Sequence, residues 1–172
     1  MSTKLSPGIW HKQIPKGYAE NLEFRKNVLS HCKNSRRNQM AMMEMCRHDI
    51  LAYINVFGWQ YNPTQLGISS KTGPFITWDF QDDAIRTILG CIECHCGHSH
   101  EVHQHDLVIE KSREMGASWL CLWCMEWLWH FHPTKKFLCI SRNEAAVDDD
   151  EPKSLFWKID FIHRHQPTWL LP

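Results

Sequence analysis

The chain has 172 residues, 43% of them hydrophobic, with 19 basic and 19 acidic side chains and a formal net charge of zero. That length supports one domain with a real core. No basic tail or strong net charge advertises nucleic-acid binding, so any such contact would rest on a local patch. No apolar run is long enough to span a bilayer, and the N-terminus carries no signal-peptide pattern. The eight cysteines therefore read as reduced cytosolic thiols rather than a disulfide framework. Nine tryptophans point to aromatic-heavy packing or to incomplete burial.

Residues Met1 to Gly17 show little periodicity and read as a loose arm. Asn21 to Lys33 predicts a short helix with Leu22, Val28 and Leu29 buried. Asn34-Ser35 breaks it, and Ser35 caps a second helix running to Phe57, with Met43, Cys46, Ile50, Ile54 and Phe57 as one apolar stripe. Arg36, Arg37 and Arg47 flank that stripe. They are either contacts to DNA or a neighbouring subunit, or a solvated helix face. Gly58 ends the helix, and Pro63 and Pro74 bracket an irregular loop. Phe75 to Trp78 is a short extended piece. Gln81 to Ile92 predicts a helix with Ile85, Ile88, Leu89 and Ile92 on one side. Gln81 suits an adenine reader, because a carboxamide pairs one donor with one acceptor. The alternative is a surface Gln at a helix start.

Cys91-x-x-Cys94 has zinc-like spacing, and His95, Cys96, His98, His100, His103 and His105 follow. Structural zinc sites separate two ligand pairs by a folding loop, whereas these ligands crowd one short connection. A polar hairpin with incidental His and Cys is the competing reading. Next, Leu107-Val108-Ile109 reads as a buried parallel strand. Lys111-Ser112-Arg113-Glu114-Met115-Gly116-Ala117-Ser118 then has the layout of a phosphate-binding loop, with a glycine and a hydroxyl at a helix start. Measured against G-x-x-x-x-G-K-[ST], Gly116 and Ser118 are in place. Lys111 stands for the first glycine and Ala117 for the usual lysine. Lys111, from the other end of the loop, can supply the missing charge, Arg113 a second one, and Ser118 a ligand for Mg2+.

Ser118 to Phe131 is apolar nearly all round, as a buried helix is. Cys121 and Cys124 within it read as packed thiols rather than a redox or metal pair. Pro133 ends this helix. Lys136 to Ile140 is a second apolar strand, which would complete a right-handed βαβ unit with the loop and its helix. Arg142 follows at that strand's end, either sensing phosphate or DNA or lying in a surface loop. Asp148, Asp149, Asp150 and Glu151 form a solvated acidic run. Ser154 caps a last helix from Leu155 to Arg164, with Phe156, Ile159 and Ile162 apolar. The predicted class is α/β: an incomplete P-loop NTPase-like parallel sheet core over residues 75–172, preceded by an α-helical N-terminal region over residues 1–74.

The run Glu110 to Trp119 resembles the deviant Walker A motif of phage terminase large subunits, in several of which the loop lysine sits at the start of the motif, as Lys111 does. Phe137-Leu138-Cys139-Ile140-Ser141-Arg142, Val147-Asp148, Ser154 to Asp160 and Pro167 to Pro172 are similar to later segments of that family. Phe80-Gln81 matches the place of its adenine-recognising Gln. The resemblance covers the chain from Cys46 to the end.

It implies an ATP-driven motor that packages double-stranded DNA into capsids in the host cytoplasm. Terminase small subunit and portal protein would be its partners, with homo-oligomers in the intact motor and no membrane. Lys111 and Arg113 would be the catalytic cations. Gln81 and Lys111 to Ser118 would hold ATP, and Ser118 the Mg2+. No apolar strand followed by Asp-Glu occurs after Ile140, and no carboxylate-rich nuclease segment follows. The chain therefore reads as the front part of the ATPase domain, lacking the catalytic acidic pair, with weak nucleotide binding and no sustained hydrolysis expected. Two alternatives stand beside it: another P-loop ATPase such as a helicase-like remodeller, and a non-enzymatic zinc-binding module over Cys91 to His105.

Overall fold

A computed structural model describes residues 10–63, 71–92, 105–113, 115–132 and 135–172. They fall into two compact units, one drawn from Met1–Thr77 and Leu138–Pro172 and the other from Trp78–Phe137. Helices dominate both. Among the described residues the only sheet is a two-stranded antiparallel pair.

In the first unit, a 3₁₀ turn over Trp10–Gln13 precedes α1 (Tyr18–Cys32), α2 (Arg36–His48) and α3 (Ile50–Phe57). Every residue of α3 is buried, and α1, α2 and the 3₁₀ turn all pack on it. A helix that is apolar all round belongs at the centre of its layer. The single predicted helix from Ser35 to Phe57 is in fact two. Asp49 leaves helical geometry (φ −141°, ψ 93°), and its Oδ1 accepts from the Ala52 amide at 3.0 Å, which caps α3. Its Oδ2 takes the amide and Nδ1 of His11 at 3.0 and 2.9 Å.

The predicted apolar face of α1 is also corrected. Leu29 is exposed, and the buried positions are Asn21, Arg25 and Cys32. These polar groups stay dry because each meets a partner. Asn21 Nδ2 donates to Pro15 O at 2.8 Å and Asn55 O at 3.1 Å. Arg25 donates to Asn21 Oδ1, Gly58 O, Phe75 O and Ile54 O. Its charge therefore sits on carbonyls at the C-terminal end of α3, where the helix dipole favours a cation. Asn55 closes the network. Its Nδ2 donates to Leu51 O and to Thr77 Oγ1, both at 2.8 Å, and its Oδ1 accepts from the Thr77 amide at 3.0 Å. Lys16 Nζ donates to Thr77 O and Oγ1.

After α3, β1 (Trp59–Tyr61) pairs antiparallel with β2 (Thr72–Pro74), Gln60 facing Gly73. The sequence between Pro63 and Pro74 reads as irregular, yet its last three residues are a strand. Pro74 sits at the strand's end, where a missing N–H is tolerated. The unit's C-terminal portion holds a short helix α6 (Glu144–Val147) and α7 (Leu155–Arg164). Ser154 caps α7 as expected, accepting from the Trp157 amide at 3.3 Å. Helix α7 packs on β1, with Tyr61 edge-on to Trp157 at 5.5 Å. Phe161 and Ile162 are buried, while the predicted apolar position Phe156 is 43% exposed.

The second unit pairs α4 (Asp79–Ile92) with α5 (Ala117–Phe131). Ile85 and Ile88 of α4 are buried as the spacing predicts. Helix α5 buries Leu120, Leu122, Trp123, Cys124 and Leu128.

The expected P-loop NTPase-like parallel sheet core is not formed. Leu107, Val108 and Ile109 carry no ladder, and Val108 is 92% exposed. Phe137 to Ile140 carries none either, with Leu138 82% and Ile140 79% exposed. The predicted βαβ crossover is therefore absent among the described residues. The physical reason is that a three- or four-residue apolar run identifies an extended segment but does not supply the partner strands a ladder requires. No described helix is long and apolar enough to cross a membrane.

Candidate functional site

The chemistry singled out in the sequence lies in the second unit, where α4 begins and where the loop after residue 110 enters α5. Gly116 is the N-cap of α5, with φ 78° and ψ 6°, a left-handed conformation that glycine adopts without the Cβ penalty. A Cβ there would also meet Gln81 Nε2 at 3.0 Å. The positive φ is what favours glycine at this position, and any side chain there would also press on the Gln81 carboxamide. A glycine N-cap offers no side chain to the first turn, and none caps it here. The first helical bond runs from the Leu120 amide to Gly116 O at 3.0 Å. The amides of Ala117 and Ser118 precede it, so they belong to the donors that an uncapped helix leaves for an anion.

Gln81 is 6% exposed and sits in the first turn of α4. Its Oε1 accepts from the Trp78 amide at 3.0 Å, the side-chain half of a capping box. Its Nε2 donates to Met115 O at 3.2 Å. The carboxamide therefore braces the loop against α4. One N–H and one lone pair lie outside these two bonds, and burial confines what can reach them.

Lys111, Ser112, Arg113 and Ser118 are exposed, and Ala117 is half-buried. Glu114 lies outside the described residues. The structure thus brings Gln81, Met115 and Gly116 into contact. It sets Lys111 and Arg113 on the same short loop, within a few residues of the α5 N-terminus, with no ion pair among the described residues. Chemically this offers two exposed cations, a hydroxyl and uncapped amides, a donor set that fits phosphate oxygens. Toward a metal, Ser118 contributes one hydroxyl.

Other predicted features resolve differently. The Cys-and-His stretch from Cys94 to His103 lies outside the described residues. At its ends, the His105 amide donates to Cys91 O at 2.9 Å. No three His, Cys, Asp or Glu side chains among the described residues come together as metal ligands. Cys124 is fully buried and Cys121 partly so. Burial raises both thiols above their ordinary range, Cys124 far more, with Cys121 nearby adding to it. Neither has the lowered pKa of a reactive cysteine, and packed thiols are what the helix holds. In the first unit Arg142 is exposed, and Asp148, Asp149, Asp150 and Asp160 line an open hollow of about 450 Å3 with Trp157 and Arg164.

Sequence reasoning missed one polar pair in α5. Glu126 is 3% exposed, and its Oε1 lies 3.2 Å from His130 Nδ1. The i, i+4 spacing could have flagged it, but the tryptophans around it masked the signal. The chain matches no family model, no curated protein and no solved structure.

Proposed function

We propose that the chain is part of the large subunit of a phage terminase, an ATP-driven motor that packages double-stranded DNA, and that Lys111 to Ser118 holds the phosphates of ATP. The observation that carries this reading is the hydrogen bond from Gln81 Nε2 to Met115 O across 34 positions of sequence. Two segments that the motif pattern assigns to one nucleotide site meet. The reading rests on the loop and its helix, not on a parallel sheet.

ATP bound with Mg2+ supplies the hydrolysable anhydride and the charge bridge between its phosphates. Toward it, the amides of Ala117 and Ser118 would donate to phosphate oxygens, and the Ser118 hydroxyl would sit in the metal's coordination shell. Lys111 and Arg113 would neutralise phosphate charge, with Arg113 acting on the transferring group. Gly116 would let the backbone approach. Gln81 would hold the loop in place and turn its remaining N–H toward the base. Small subunit, portal protein, further copies of the motor and a host-cytoplasmic setting follow from the same resemblance.

Displacement of a fluorescent ATP analogue by Mg-ATP tests the reading. The expected dissociation constant is weak, about 0.1–1 mM, rising about tenfold in Lys111→Ala for the loss of one charge-assisted contact. Phosphate release is expected to stay at background. No binding, or binding indifferent to both Lys111→Ala and Gly116→Ala, would overturn the site. Steady turnover that vanishes in Lys111→Ala would overturn the expectation of inactivity.

A further inference from the structure

Thr77 and Trp78 share one peptide group, and both of its polar ends are bonded. Its carbonyl, Thr77 O, accepts from Lys16 Nζ at 2.8 Å across 61 positions of sequence. Its N–H, on Trp78, donates to Gln81 Oε1 at 3.0 Å. The same carboxamide donates through Nε2 to Met115 O at 3.2 Å, one residue before the Gly116 cap. A peptide group is planar and stiff, so whatever fixes the direction of its C=O also fixes the direction of its N–H. Lys16 therefore sets, at one remove, the line along which Gln81 is held.

The backbone behind that lysine is anchored on both sides. Pro15 O accepts from Asn21 Nδ2 at 2.8 Å, and Gly17, the N-cap of α1, accepts from the Asn21 amide at 2.8 Å. Lys16 Nζ also donates to Thr77 Oγ1 at 2.7 Å. Thr77 is 2% exposed, and Asn55 bonds both its amide and its hydroxyl. Beyond the shared peptide, burial no longer does the holding. Trp78 is 70% exposed, and backbone bonds keep it in register: its carbonyl accepts from the amides of Gln81 and Asp82, each at 2.9 Å. A hydrogen bond from a charged donor is stronger than a neutral one, and a polarised carbonyl makes the N–H of its own peptide a better donor. Lys16 thus strengthens the bond from Trp78 to Gln81 as well as aiming it.

We propose that Lys16 is a positioning residue for the Gln81 brace: through the Thr77–Trp78 peptide it orients the carboxamide that holds the phosphate loop. Its effect on nucleotide rests on Lys111 to Ser118 being the phosphate site, whereas its effect on Gln81 does not. Both are read on the full chain, by 15N spectra and amide exchange without nucleotide and by Mg-ATP displacement. Lys16→Met removes the charge and keeps the stem at an exposed position. It is expected to shift the Gln81 side-chain NH2 signals and to speed exchange of the Trp78 amide about fivefold or more relative to the Tyr53 amide. Mg-ATP binding should weaken about three- to tenfold. Lys16→Arg, which can still donate to both Thr77 oxygens, is expected to restore most of each effect. Thr77→Val removes the hydroxyl bonds to Lys16 and Asn55 but leaves the peptide carbonyl; it should lower the urea midpoint while the Gln81 signals stay. Gln81 signals and Trp78 exchange unchanged in Lys16→Met overturn the proposal. So does a Thr77→Val variant that disturbs Gln81 as much as Lys16→Met, which would mean general loosening rather than orientation. Wild type that binds Mg-ATP, with equal binding in a Lys16→Met variant whose Gln81 has moved, overturns it as well. If wild type binds no Mg-ATP and Lys16→Met still moves the Gln81 signals, the positioning stands and the nucleotide reading falls.

Discussion

Two polar regions of this molecule are built on opposite terms. In the first unit, Asn21, Arg25, Asn55 and Thr77 are buried to 3% exposure or less, and each finds its partners within the chain. In the second, Lys111, Arg113 and Ser118 are exposed, and α5, which the first two precede and Ser118 helps to open, starts without a side-chain cap. The first set has its hydrogen bonds satisfied on folding and so contributes to stability. The second keeps its donors available and contributes little to it. Polarity that is buried and complete holds a fold, whereas polarity left incomplete at a rigid brace is placed for a ligand. Mutations should therefore separate: stability should respond in the first region and binding in the second.

The largest effect is expected at Asn55. Changing it to Ala removes the acceptor of the buried Thr77 amide and two further bonds, and urea unfolding should show a loss of about 3 kcal/mol. If Asn55→Ala unfolds like wild type, the first region is not the hub described. Arg25→Met should cost about 2 kcal/mol, since Gly58 O and Ile54 O retain backbone partners.

The same residue gives a pH dependence with a definite sign. Burial pushes the Arg25 guanidinium down to about 9, so the unfolded chain binds this proton more tightly than the folded one. Below about pH 9 both states are protonated, and the burial cost is constant. Between about pH 9 and the ordinary guanidinium range, stability from this group rises with pH. The difference in urea midpoint between wild type and Arg25→Met should widen over that interval; a narrowing would contradict it.

Gly116→Ala bridges the two regions' behaviours. The left-handed φ and the 3.0 Å approach to Gln81 Nε2 predict a stability loss of about 1–2 kcal/mol, together with loss of nucleotide binding. Gln81→Ala removes one bond to Trp78 and one to Met115. A loss of about 1 kcal/mol is expected, with faster amide exchange in the loop. Lys111→Ala sharpens the comparison most: its unfolding free energy should be unchanged within about 0.5 kcal/mol while ATP affinity falls. A large stability change there would place Lys111 among the structural residues.

The sequence exposed the features that local chemistry dictates. Ser35 and Ser154 cap as a hydroxyl before a helix must, Ile85 and Ile88 are buried by helical spacing, and the glycine before α5 stands at its N-cap. Features set by long-range partners were hidden. Nothing local says that α1 turns Asn21 and Arg25 inward, because the carbonyls that satisfy them come from α3 and from Phe75. The break at Asp49 was obscured by an apolar stripe that continues through it. Leu107 to Ile109 and Phe137 to Ile140 have the composition of strands but carry no ladder, because a strand exists only with a neighbour. At the site, the loop's residue types were legible. The brace from Gln81 to Met115 was not, since it pairs a side chain with a backbone carbonyl that any residue could provide.

The most direct test of the central claim, that the Gln81-braced loop receives a phosphate, is a 15N amide spectrum of the full chain titrated with Mg-ATP. The account predicts saturable shifts concentrated on the amides of Ala117 and Ser118 and on the Gln81 side-chain NH2, reached only at about tenfold higher nucleotide in Lys111→Ala. Shifts confined to other residues, or none at nucleotide concentrations well above 1 mM, would contradict it.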